Sequence, residues 1–389
     1  MMRPDGTTKV DGMIHFAITH SAAGGLRELW DDLADGLRAR GHGVRRFVLY
    51  PPADPDGEGV DRAAWHHVVA TRPRTPLAAL RMLAALVRHL RRERPAVIVS
   101  SMPAANVLLP IAVTIARLPT RVFLSHHSPT GTHNPLLDRI DGWTGCLPCV
   151  AGIISVSDSV AATLALKPAS YRARMLTIPN ALSERVERLL DGLLRARTTA
   201  KPAGAPFRVV ALGRLAYQKN YPLLIRAIAD VSGAMLEIVG GGEDEPSLRT
   251  LVAELDLVDR VAITGSLPRE AALARAASAD IFVQVSRFEG HSLALIEAAR
   301  LGLPLIVSDV PVQVEGVTAR DGTCCGIVVP LDDPAALAAA IATLRADPAH
   351  RAHWAALAVR LGREASNADM LDRYEAALLP ALSRTAQAG

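Results

Sequence analysis

The stretch FRVVALGRLAYQKNYPLLIRAIADVSGAMLEIVG, residues 207–240, is the most informative part of the chain for its fold. It opens with an apolar run of strand length, continues through a polar loop into a segment with apolar residues at helical spacing, and ends in a second apolar run that stops at glycine. A strand, a helix and a strand in that order predict a βαβ unit, in which the two strands are parallel and the helix covers the sheet. The fold class is therefore α/β.

The same alternation continues on both sides of this stretch. Towards the C-terminus the further strand-length runs are RVAITG (260–265), DIFVQVS (280–286) and PLIVSD (304–309), which makes five strands in this half. Towards the N-terminus they are MIHFAITH (13–20), VRRFVLY (44–50), AVIVS (96–100), RVFLS (121–125), GIISVS (152–157) and MLTIP (175–179). Since 389 residues exceed what one core holds, we expect two Rossmann-like, doubly wound domains.

The domain boundary is predicted from composition. Residues 198–206, TTAKPAGAP, are rich in small residues and proline and suit a linker. We therefore expect one domain over residues 1–200 and a second over residues 201–365, which the resemblance described below would make the acceptor-side and the donor domain. Residues 366–389 extend beyond the second sheet and are expected to form a helix that packs back on the first domain.

Composition excludes several classes of protein. Half of the residues are hydrophobic and 21% are charged, which rules out a disordered chain and a small disulfide scaffold. The four cysteines are one CxxC pair, Cys146 and Cys149, and the adjacent Cys324 and Cys325. A structural zinc site needs four convergent ligands, so we expect reduced thiols in a cytosolic protein and no metal site.

Neither a signal peptide nor a membrane span is expected. The N-terminus carries acidic residues and lacks the cationic start and long apolar run of a signal peptide. Residues 95–116 contain no charge and are long enough to cross a bilayer. However, proline, serine and asparagine interrupt this stretch, which predicts a short strand, a turn and a helix instead.

Charge is unevenly distributed. Residues 1–200 contain 25 Lys and Arg against 17 Asp and Glu, net +8, whereas residues 201–389 contain 18 against 22, net −4. The basic charges are dispersed and lack interleaved aromatics, so nucleic acid is not expected as a partner. The basic amphipathic segment 77–94, LAALRMLAALVRHLRRER, leaves two alternatives open: contact with an anionic membrane at its inner face, or a helix that covers the sheet with its polar face in water.

Two segments of the second half carry the chemistry. Arg214 and Lys219 lie in the loop after the first strand, where two cations can bind a diphosphate; a solvated loop is the alternative. Further on, Glu289 and Glu297 stand eight residues apart around a predicted helix start near His291 or Ser292, whose free amides suit a phosphate. Glu297 falls among apolar neighbours, so its burial requires a partner or ligand hydroxyls such as a ribose diol.

These motifs resemble those of the GT-B nucleotide-sugar glycosyltransferases of the large retaining family four. The family's G-R-x-x-x-x-K loop, E-x7-E motif and following A-x-x-x-G-x-P correspond here to Gly213, Arg214, Lys219, Glu289, Glu297, Ala299, Gly302 and Pro304. The resemblance covers essentially the whole chain, with weaker motifs at Gly24 and Gly25, at IPN (178–180) and at GGGEDE (240–245). It implies two doubly wound domains that face each other across a cleft.

The resemblance also implies roles for individual residues. Arg214 and Lys219 would bind the donor diphosphate, and Glu297 the nucleotide ribose. Glu289 would face the transferred sugar. The remaining donor-binding positions are the backbone of Gly290, His291, Ser292 and Leu293, the close-approach glycines Gly24 and Gly25, and the turn from Gly265 to Leu267 beside the base.

The first domain of this family contributes a histidine near the sugar. Here His126 and His127 both follow the strand RVFLS, and the sequence leaves both open with His126 favoured. His20 and His133 are further candidates. The segment 128–145, rich in turn formers, is expected to form a loop on the acceptor side.

The predicted function is retaining transfer of a sugar from a nucleoside-diphosphate donor, UDP favoured, to a glycan or lipid-linked acceptor in bacterial polysaccharide or envelope assembly. No cofactor is expected, because the diphosphate is neutralised by Arg214, Lys219 and helix amides. An epimerase or phosphorylase of the same fold, and a non-enzymatic two-domain sugar-binding protein, are the alternatives.

Overall fold

A computed structural model describes residues 12–21, 25–52, 65–197 and 205–387. Gly24 of the predicted phosphate loop and residues 198–204 of the predicted linker lie outside the described residues. The chain divides into two compact units. The first contains the described residues up to Asn180 together with those from Ala368 onward, and the second contains residues 181–367.

The first unit is built on a parallel sheet of seven strands. Their bounds are Met13–His20 (β1), Gly43–Tyr50 (β2), His66–His67 (β3), Val97–Ser101 (β4), Arg121–His126 (β5), Val150–Ser155 (β6) and Met175–Thr177 (β7). The order across the sheet is β3-β2-β1-β4-β5-β6-β7. Helices on the two faces are Gly25–Ala39 (α1), Pro76–Glu93 (α2), Pro103–Ala116 (α3), Pro135–Thr144 (α4), Asp158–Thr163 (α5) and Ala169–Arg172 (α6).

The second unit repeats this architecture with six parallel strands. They are Phe207–Leu212 (β8), Ala234–Val239 (β9), Val261–Ile263 (β10), Ile281–Gln284 (β11), Leu305–Ser308 (β12) and Ile327–Val329 (β13), in the order β10-β9-β8-β11-β12-β13. Its helices are Glu184–Arg197 (α7), Tyr221–Ala229 (α8), Glu245–Glu254 (α9), Arg269–Ala277 (α10), Leu293–Arg300 (α11), Pro311–Gly316 (α12), Pro334–Ala346 (α13) and Pro348–Glu364 (α14). The predicted fold class is thus confirmed.

The structure adds elements that the apolar pattern did not reveal. The edge strands β3 and β13 have only two and three residues, too few to produce a visible period. The predicted acceptor loop, residues 128–145, contains the helix α4, which Asn134 caps by accepting hydrogen bonds from Leu136 N and Leu137 N. Proline directly after this cap suits the first turn of a helix.

Because α7 belongs to the second unit, the boundary between the units lies nearer the N-terminus than the sequence predicts. The helix was predicted to belong to residues 1–200, yet the structure places it in the second unit. Val186 and Leu190 are buried in a cluster with Val210 and Phe282 of the second sheet, and Arg300 of α11 donates to both carboxylate oxygens of Asp191 at 3.0 Å. The boundary therefore falls after Asn180 rather than at residue 200.

The last helix, Asn367–Gln387 (α15), belongs to the first unit. Its Tyr374 and Leu378 are buried. Arg40 at the end of α1 contacts Asp372 and Glu375 at 2.6 Å each. The helix is therefore fixed to the first unit by apolar burial and by ion pairs.

The uncharged stretch 95–116 folds as predicted. It forms the buried strand β4, a turn at Met102 and the helix α3. Among the described residues no helix combines the length and apolarity that a membrane crossing requires.

Candidate functional site

Both sheets have a topological switch point. In the second unit the chain runs from β8 outward through β9 and β10, then crosses over to β11 and continues the other way. In such sheets ligands bind at the carboxyl ends of the two strands where the direction reverses. The loop after β8 carries Arg214 and Lys219, and the loop after β11 carries Glu289. The structure therefore brings the two predicted motifs to the place where this fold binds ligands.

The two loops are joined by their side chains. Lys219 Nζ lies 2.7 Å from Glu289 Oε1, and both side chains are largely buried. Gln218 Nε2 donates to Glu289 Oε2 at 3.1 Å and to the carbonyl of Phe288 at 3.0 Å. An ammonium group has three donors, so Lys219 can keep this carboxylate and still donate to a phosphate oxygen. Gln218 is a site residue that the motifs did not predict.

Arg214 differs from Lys219 in its exposure. Its side chain is two-thirds exposed, and its guanidinium lies 3.8 Å from Glu243 in the loop after β9. Both side chains of this pair are in water, where an ion pair contributes at most about 1 kcal/mol. Arg214 is therefore available to an anionic ligand at little cost.

Close backbone approach explains the glycines around Arg214. Gly213 has a φ of +139°, and a Cβ there would stand 2.7 Å from Lys219 Cε. At Gly240, with a φ of +154°, a Cβ would stand 2.0 Å from the carbonyl oxygen of Gly213. A side chain at Gly240 would separate the loops after β8 and β9, whereas one at Gly213 would displace the Lys219 side chain; the positive φ of both positions also favours glycine.

The helix α11 begins at Leu293, within two residues of the start near His291 or Ser292 that the sequence predicts. Ser292 is its N-cap; its Oγ accepts from Leu295 N at 3.3 Å and donates to Gln284 Oε1 at 2.8 Å. Gln284 is buried and exchanges two further hydrogen bonds with Gln313. Leu293 is the first helical residue, so its amide and the next have no acceptor within the helix. The amides that follow Gly290 and His291 therefore lie at the positive end of a helix held in place by a buried polar network.

Glu297 has a protein partner, which is one of the two explanations that the sequence left open for its burial. Arg269 donates to Glu297 Oε1 from Nε at 2.9 Å and from Nη2 at 2.7 Å. Arg269 opens α10 directly after the turn that contains Gly265 and Leu267. The turn predicted to border the base is thus connected to the residue predicted to hold the ribose. No motif marked Arg269.

In the first unit the switch point lies between β1 and β4. Gly25, the described residue of the predicted glycine pair, begins α1 after β1. Met102, between β4 and α3, has a φ of +76°, and Thr19 Oγ1 at the end of β1 accepts from Ala105 N. A non-glycine residue with positive φ is strained, and such strain is commonly found at ligand sites. The sequence did not single out Met102.

His126, at the end of β5, belongs to a buried hydrogen-bonded chain. Tyr171 Oη donates to Asp141 Oδ2 at 2.9 Å and lies 2.8 Å from His126 Nε2. Because the single hydroxyl hydrogen goes to the carboxylate, the Tyr171 oxygen accepts from Nε2–H. Burial lowers the pKa of His126, so the ring is neutral. Its Nδ1 is an acceptor without a hydrogen-bond partner among the described residues.

His127 has different neighbours. Its Nε2 lies 2.8 Å from Ser125 Oγ, and its ring packs against Trp30 of α1 with the centroids 5.8 Å apart. Burial and the neighbouring His126 lower its pKa to about 3. His133 lies beside His126, with ring centroids 6.3 Å apart, and Ser128 Oγ lies 2.9 Å from its Nε2. Of the two adjacent histidines, only His126 is held by a carboxylate-linked chain.

The acidic pair at 332–333 and the cysteines do not form a metal site. Asp333 caps α13 by accepting from Ala336 N at 2.9 Å, which is typical of an acidic residue before a helix. Cys146, Cys149, Cys324 and Cys325 are free thiols. Within the described ranges no three His, Cys, Asp or Glu side chains are grouped so that they could hold a metal ion.

Two family models match the chain. The model described as Glycosyl transferase 4-like domain matches residues 24–181, and the model described as Glycosyl transferases group 1 matches residues 196–359. The two matched segments correspond closely to the two structural units.

Curated proteins that are similar to this chain in sequence are also named as glycosyltransferases. A GDP-mannose-dependent phosphatidylinositol monomannoside mannosyltransferase of Mycolicibacterium smegmatis is 32% identical over 38% of this chain and 42% of its own length. The lipopolysaccharide core glycosyltransferase LpsD of Rhizobium meliloti is 32% identical over 46% of this chain and 52% of its own length. The chain spans about half the length of the curated relatives it matches.

Solved structures extend the likeness to the whole fold. Sucrose-phosphate synthase from Thermosynechococcus elongatus has a TM-score of 0.74 at 20% identity, covering 94% of this chain and 98% of its own. Anabaena HepE in complex with UDP-glucose has a TM-score of 0.75 at 19% identity, covering 95% of this chain and all of its own. With both family models and the GT-B fold in place, the chain belongs to the group 1 glycosyltransferases.

Proposed function

We propose that the protein transfers a glycosyl unit from a nucleoside-diphosphate sugar to an acceptor hydroxyl, with retention of the anomeric configuration. The observation that carries this proposal is the contact of Lys219 with Glu289 at the switch point of the second sheet. This contact joins the loop that carries Arg214 and Lys219 to the segment that leads into the N-terminus of α11. Such a set of donors suits a diphosphate.

The site would act mainly through electrostatics. As the bond between the sugar and the diphosphate breaks, negative charge develops on the leaving group. Arg214, Lys219 and the first amides of α11 would stabilise that charge from fixed positions. The protein's own cations would meet this charge without a cofactor, so we expect transfer to persist in excess EDTA.

The remaining roles follow the motif positions. Glu289 and the backbone from Gly290 to Leu293 would face the sugar and its phosphates. Glu297, oriented by Arg269, would accept hydrogen bonds from the ribose. In the first unit we assign the sugar contact to His126, because it ends β5, its Nε2 is held by Tyr171, and its buried Nδ1 has no hydrogen-bond partner among the described residues.

A UDP-sugar is the proposed donor, and a glycan or lipid-linked saccharide of the bacterial envelope the proposed acceptor. HepE, with which the chain shares its fold, was crystallised with UDP-glucose. The relatives at 32% identity are named for transfer to a phosphatidylinositol mannoside and to lipopolysaccharide core. A lipid-linked acceptor would bring the protein to a membrane surface.

A ligand screen followed by product analysis tests the function. We expect UDP-sugars to raise the melting temperature more than GDP- or ADP-sugars, because ligands stabilise the state they bind. The donor found in this way is then incubated with envelope saccharides, and the anomeric proton of the product is assigned by NMR. An inverted product would refute retention. Conversion of the donor without any transfer would favour an epimerase.

Lys219→Ala tests the diphosphate role directly; because it also leaves the largely buried Glu289 without its partner, the melting temperature of the variant is measured beside its affinity. Loss of one charge-assisted hydrogen bond, about 1.5–3 kcal/mol, should weaken nucleoside diphosphate binding roughly 10- to 100-fold in calorimetry. Arg249→Ala, which removes an exposed cation of α9 paired with Glu245, is the matched control and should bind normally. Equal affinities of the wild type and Lys219→Ala would contradict the diphosphate assignment.

A further inference from the structure

The first unit contains a polar cavity that the proposed function does not use. It has a volume of about 210 Å³ and lies between β1, β2, β3 and the end of α2. The polar side chains on its lining are His15, Arg45, His66, His89, Arg92 and Glu93. His15 is the third residue of β1, so about 16 Å of strand separates it from the carboxyl end of β1, where the switch point lies. The cavity is therefore distinct from the site at the switch point.

The imidazole rings of this cavity are held by ring contacts. His89 stacks on His66, with the centroids 4.9 Å apart and an angle of 16° between the planes. Phe47 contacts His89 and His15, at centroid distances of 4.9 and 6.0 Å. His15 and His89 are at least nine-tenths buried, yet none of their four ring nitrogens has a hydrogen-bond partner among the described residues. Buried polar groups are normally paired, so these nitrogens indicate that water or a ligand occupies the cavity.

The charges around the cavity favour an anion as its ligand. Arg45 and Arg92 both contact Glu93, so two guanidinium groups share one carboxylate and one positive charge is left over. Both arginine side chains are more than half exposed, and each guanidinium has further N–H donors to turn towards a ligand. The next residue of β2, Arg46, points to the other face of the sheet, where it pairs with Asp31 of α1.

The two buried rings are neutral at pH 7 and can take up a proton. Burial, with a neighbouring histidine, lowers the pKa of His15 and of His89 to about 4. The titratable and charged groups that face them are Arg45, His66, Arg92 and Glu93. The strand β4, on the other side of β1, carries no charged residue. A bound anion would raise both pKa values, because an opposite charge nearby favours the protonated ring.

We propose that this cavity binds a small oxyanion, either inorganic phosphate or the phosphate group of a phosphomonoester, together with one proton on His15 or His89. The proton comes from solvent and converts one imidazole into an imidazolium, which donates hydrogen bonds from both nitrogens. Arg45 and Arg92 bind phosphate oxygens from the rim of the cavity. Their guanidinium groups would repel a metal ion. Such a site is independent of the proposed glycosyl transfer.

Calorimetry with sulfate measures the binding of an oxyanion and the uptake of the proton together. Sulfate keeps the same charge between pH 6 and pH 8, so a dependence on pH belongs to the protein. We expect the affinity to be roughly tenfold higher at pH 6 than at pH 8, because one ring is protonated in the complex. Titrations at pH 6 in two buffers of different ionisation enthalpy should show uptake of about one proton.

Two results of this calorimetry would overturn the proposal. Sulfate binding with the same affinity at both pH values and without proton uptake would exclude the histidines from the site. Absence of any sulfate or phosphate binding would leave the cavity to water. NMR of the imidazole nitrogens adds a direct observation: His15 or His89 should become protonated when sulfate is added at pH 6, and two rings that stay neutral would refute the proton.

Arg92→Gln tests the place of binding without removing a buried group. It should weaken sulfate binding about tenfold, because one charge-assisted hydrogen bond is lost. Arg91→Gln removes the neighbouring exposed arginine, which lies outside the lining of the cavity, and should bind sulfate as the wild type does. Equal affinities of the two variants would refute the site. Loss of binding in Lys219→Ala but not in Arg92→Gln would place the anion on the loop after β8 and would refute the site as well.

A comparison of two phosphates identifies the form of the ligand. Inorganic phosphate and glycerol phosphate are titrated into the full chain at pH 6 under the same conditions. Tighter binding of inorganic phosphate would assign the cavity to the free ion, and tighter binding of glycerol phosphate would assign it to a phosphomonoester; both results support the proposal. Failure of both compounds to bind would overturn it.

Discussion

At the scale of single residues, Glu297 and Arg269 form an ion pair in which both side chains are largely withdrawn from water. Removal of one member of such a pair leaves the other charge buried and uncompensated, which destabilises a protein more than loss of the pair as a whole. The substitution Glu297→Ala therefore combines loss of a ligand contact with damage to the protein. Glu297→Gln keeps the shape and is the better variant.

A ribose role for Glu297 predicts a specific change in selectivity. The wild type should bind UDP more tightly than 2′-deoxy-UDP, because the deoxy compound lacks one donor to the carboxylate. A hydrogen bond to a charged group contributes about 1.5–3 kcal/mol, so the preference should reach roughly tenfold. Glu297→Gln should lose most of it. Calorimetry with both nucleotides measures this, and an unchanged preference in the variant would remove the ribose assignment.

His15 and His89 predict a pH dependence of stability. Both lie on the α2 side of the first sheet, and burial, with a neighbouring histidine, lowers the pKa of each to about 4 from 6.5. Arg45, His66 and Glu93 face them. Below pH 6.5 the unfolded chain binds protons that the folded unit does not, so the free energy of unfolding falls as the pH drops from 6.5 to 4.

The size of this effect follows from the shifts. Each pKa unit corresponds to about 1.4 kcal/mol, which gives of the order of 3 kcal/mol per histidine over the whole interval. Urea titrations at pH 7 and pH 5, followed by the fluorescence of the buried Trp30 and Trp65 of the first unit, measure it. His89→Leu should flatten the dependence. A slope that is the same in wild type and variant would assign it to other groups.

At the scale of elements, the loops after β8 and β9 are in contact along their backbones. One hydrogen bond runs from Leu215 N to the carbonyl of Gly241, and another from Gly213 N to the carbonyl of Val239. The loop that carries Arg214 is thus positioned by the neighbouring loop rather than by its own sequence. The geometry of the diphosphate site depends on this backbone contact.

Gly240→Ala should disturb both stability and donor binding. A Cβ 2.0 Å from the Gly213 carbonyl oxygen forces the loops apart. Strained φ and overpacking together should cost about 2–4 kcal/mol of unfolding free energy. The control is Gly322→Ala, which has φ of +85° but open space around it, so only the strain is added. Equal losses in the two variants would show that close approach is not what selects glycine at 240.

At the scale of the whole molecule, α15 completes the first unit from the far end of the chain. Tyr374, Leu378 and Leu382 bury apolar surface there, and Glu375 pairs with Arg40 and His42. The helix contributes to the first unit although it follows the second in sequence. The stability of the two units should therefore respond differently to its loss.

Truncation after Asn367 tests this division. We expect the melting transition reported by Trp30 and Trp65 to fall by several degrees, because the first unit loses buried apolar surface and ion pairs. The transition of the second unit, which contains Trp354, should change little. Calorimetry resolves the two transitions. An unchanged first transition would mean that α15 adds no stability to its unit.

Sequence pattern alone was enough to predict the two parallel sheets, nearly all of their strands, and the residues gathered at the second switch point. These features are local: a strand or helix shows its period within one segment, and the motifs lie within single loops at strand ends. For the same reason Arg214, Lys219, Glu289 and Ser292 were found in the order and spacing that the structure uses.

The folded structure was needed to show which groups meet across the chain. Arg269 reaches Glu297 over 28 residues, and Tyr171 holds His126 over 45. The packing of α7 with the second unit was likewise visible only in the folded structure, whereas the sequence had already led us to expect the last helix to pack on the first unit. An amphipathic segment specifies that one of its faces is buried but not against what, because the partner is chosen by the packing of the entire fold.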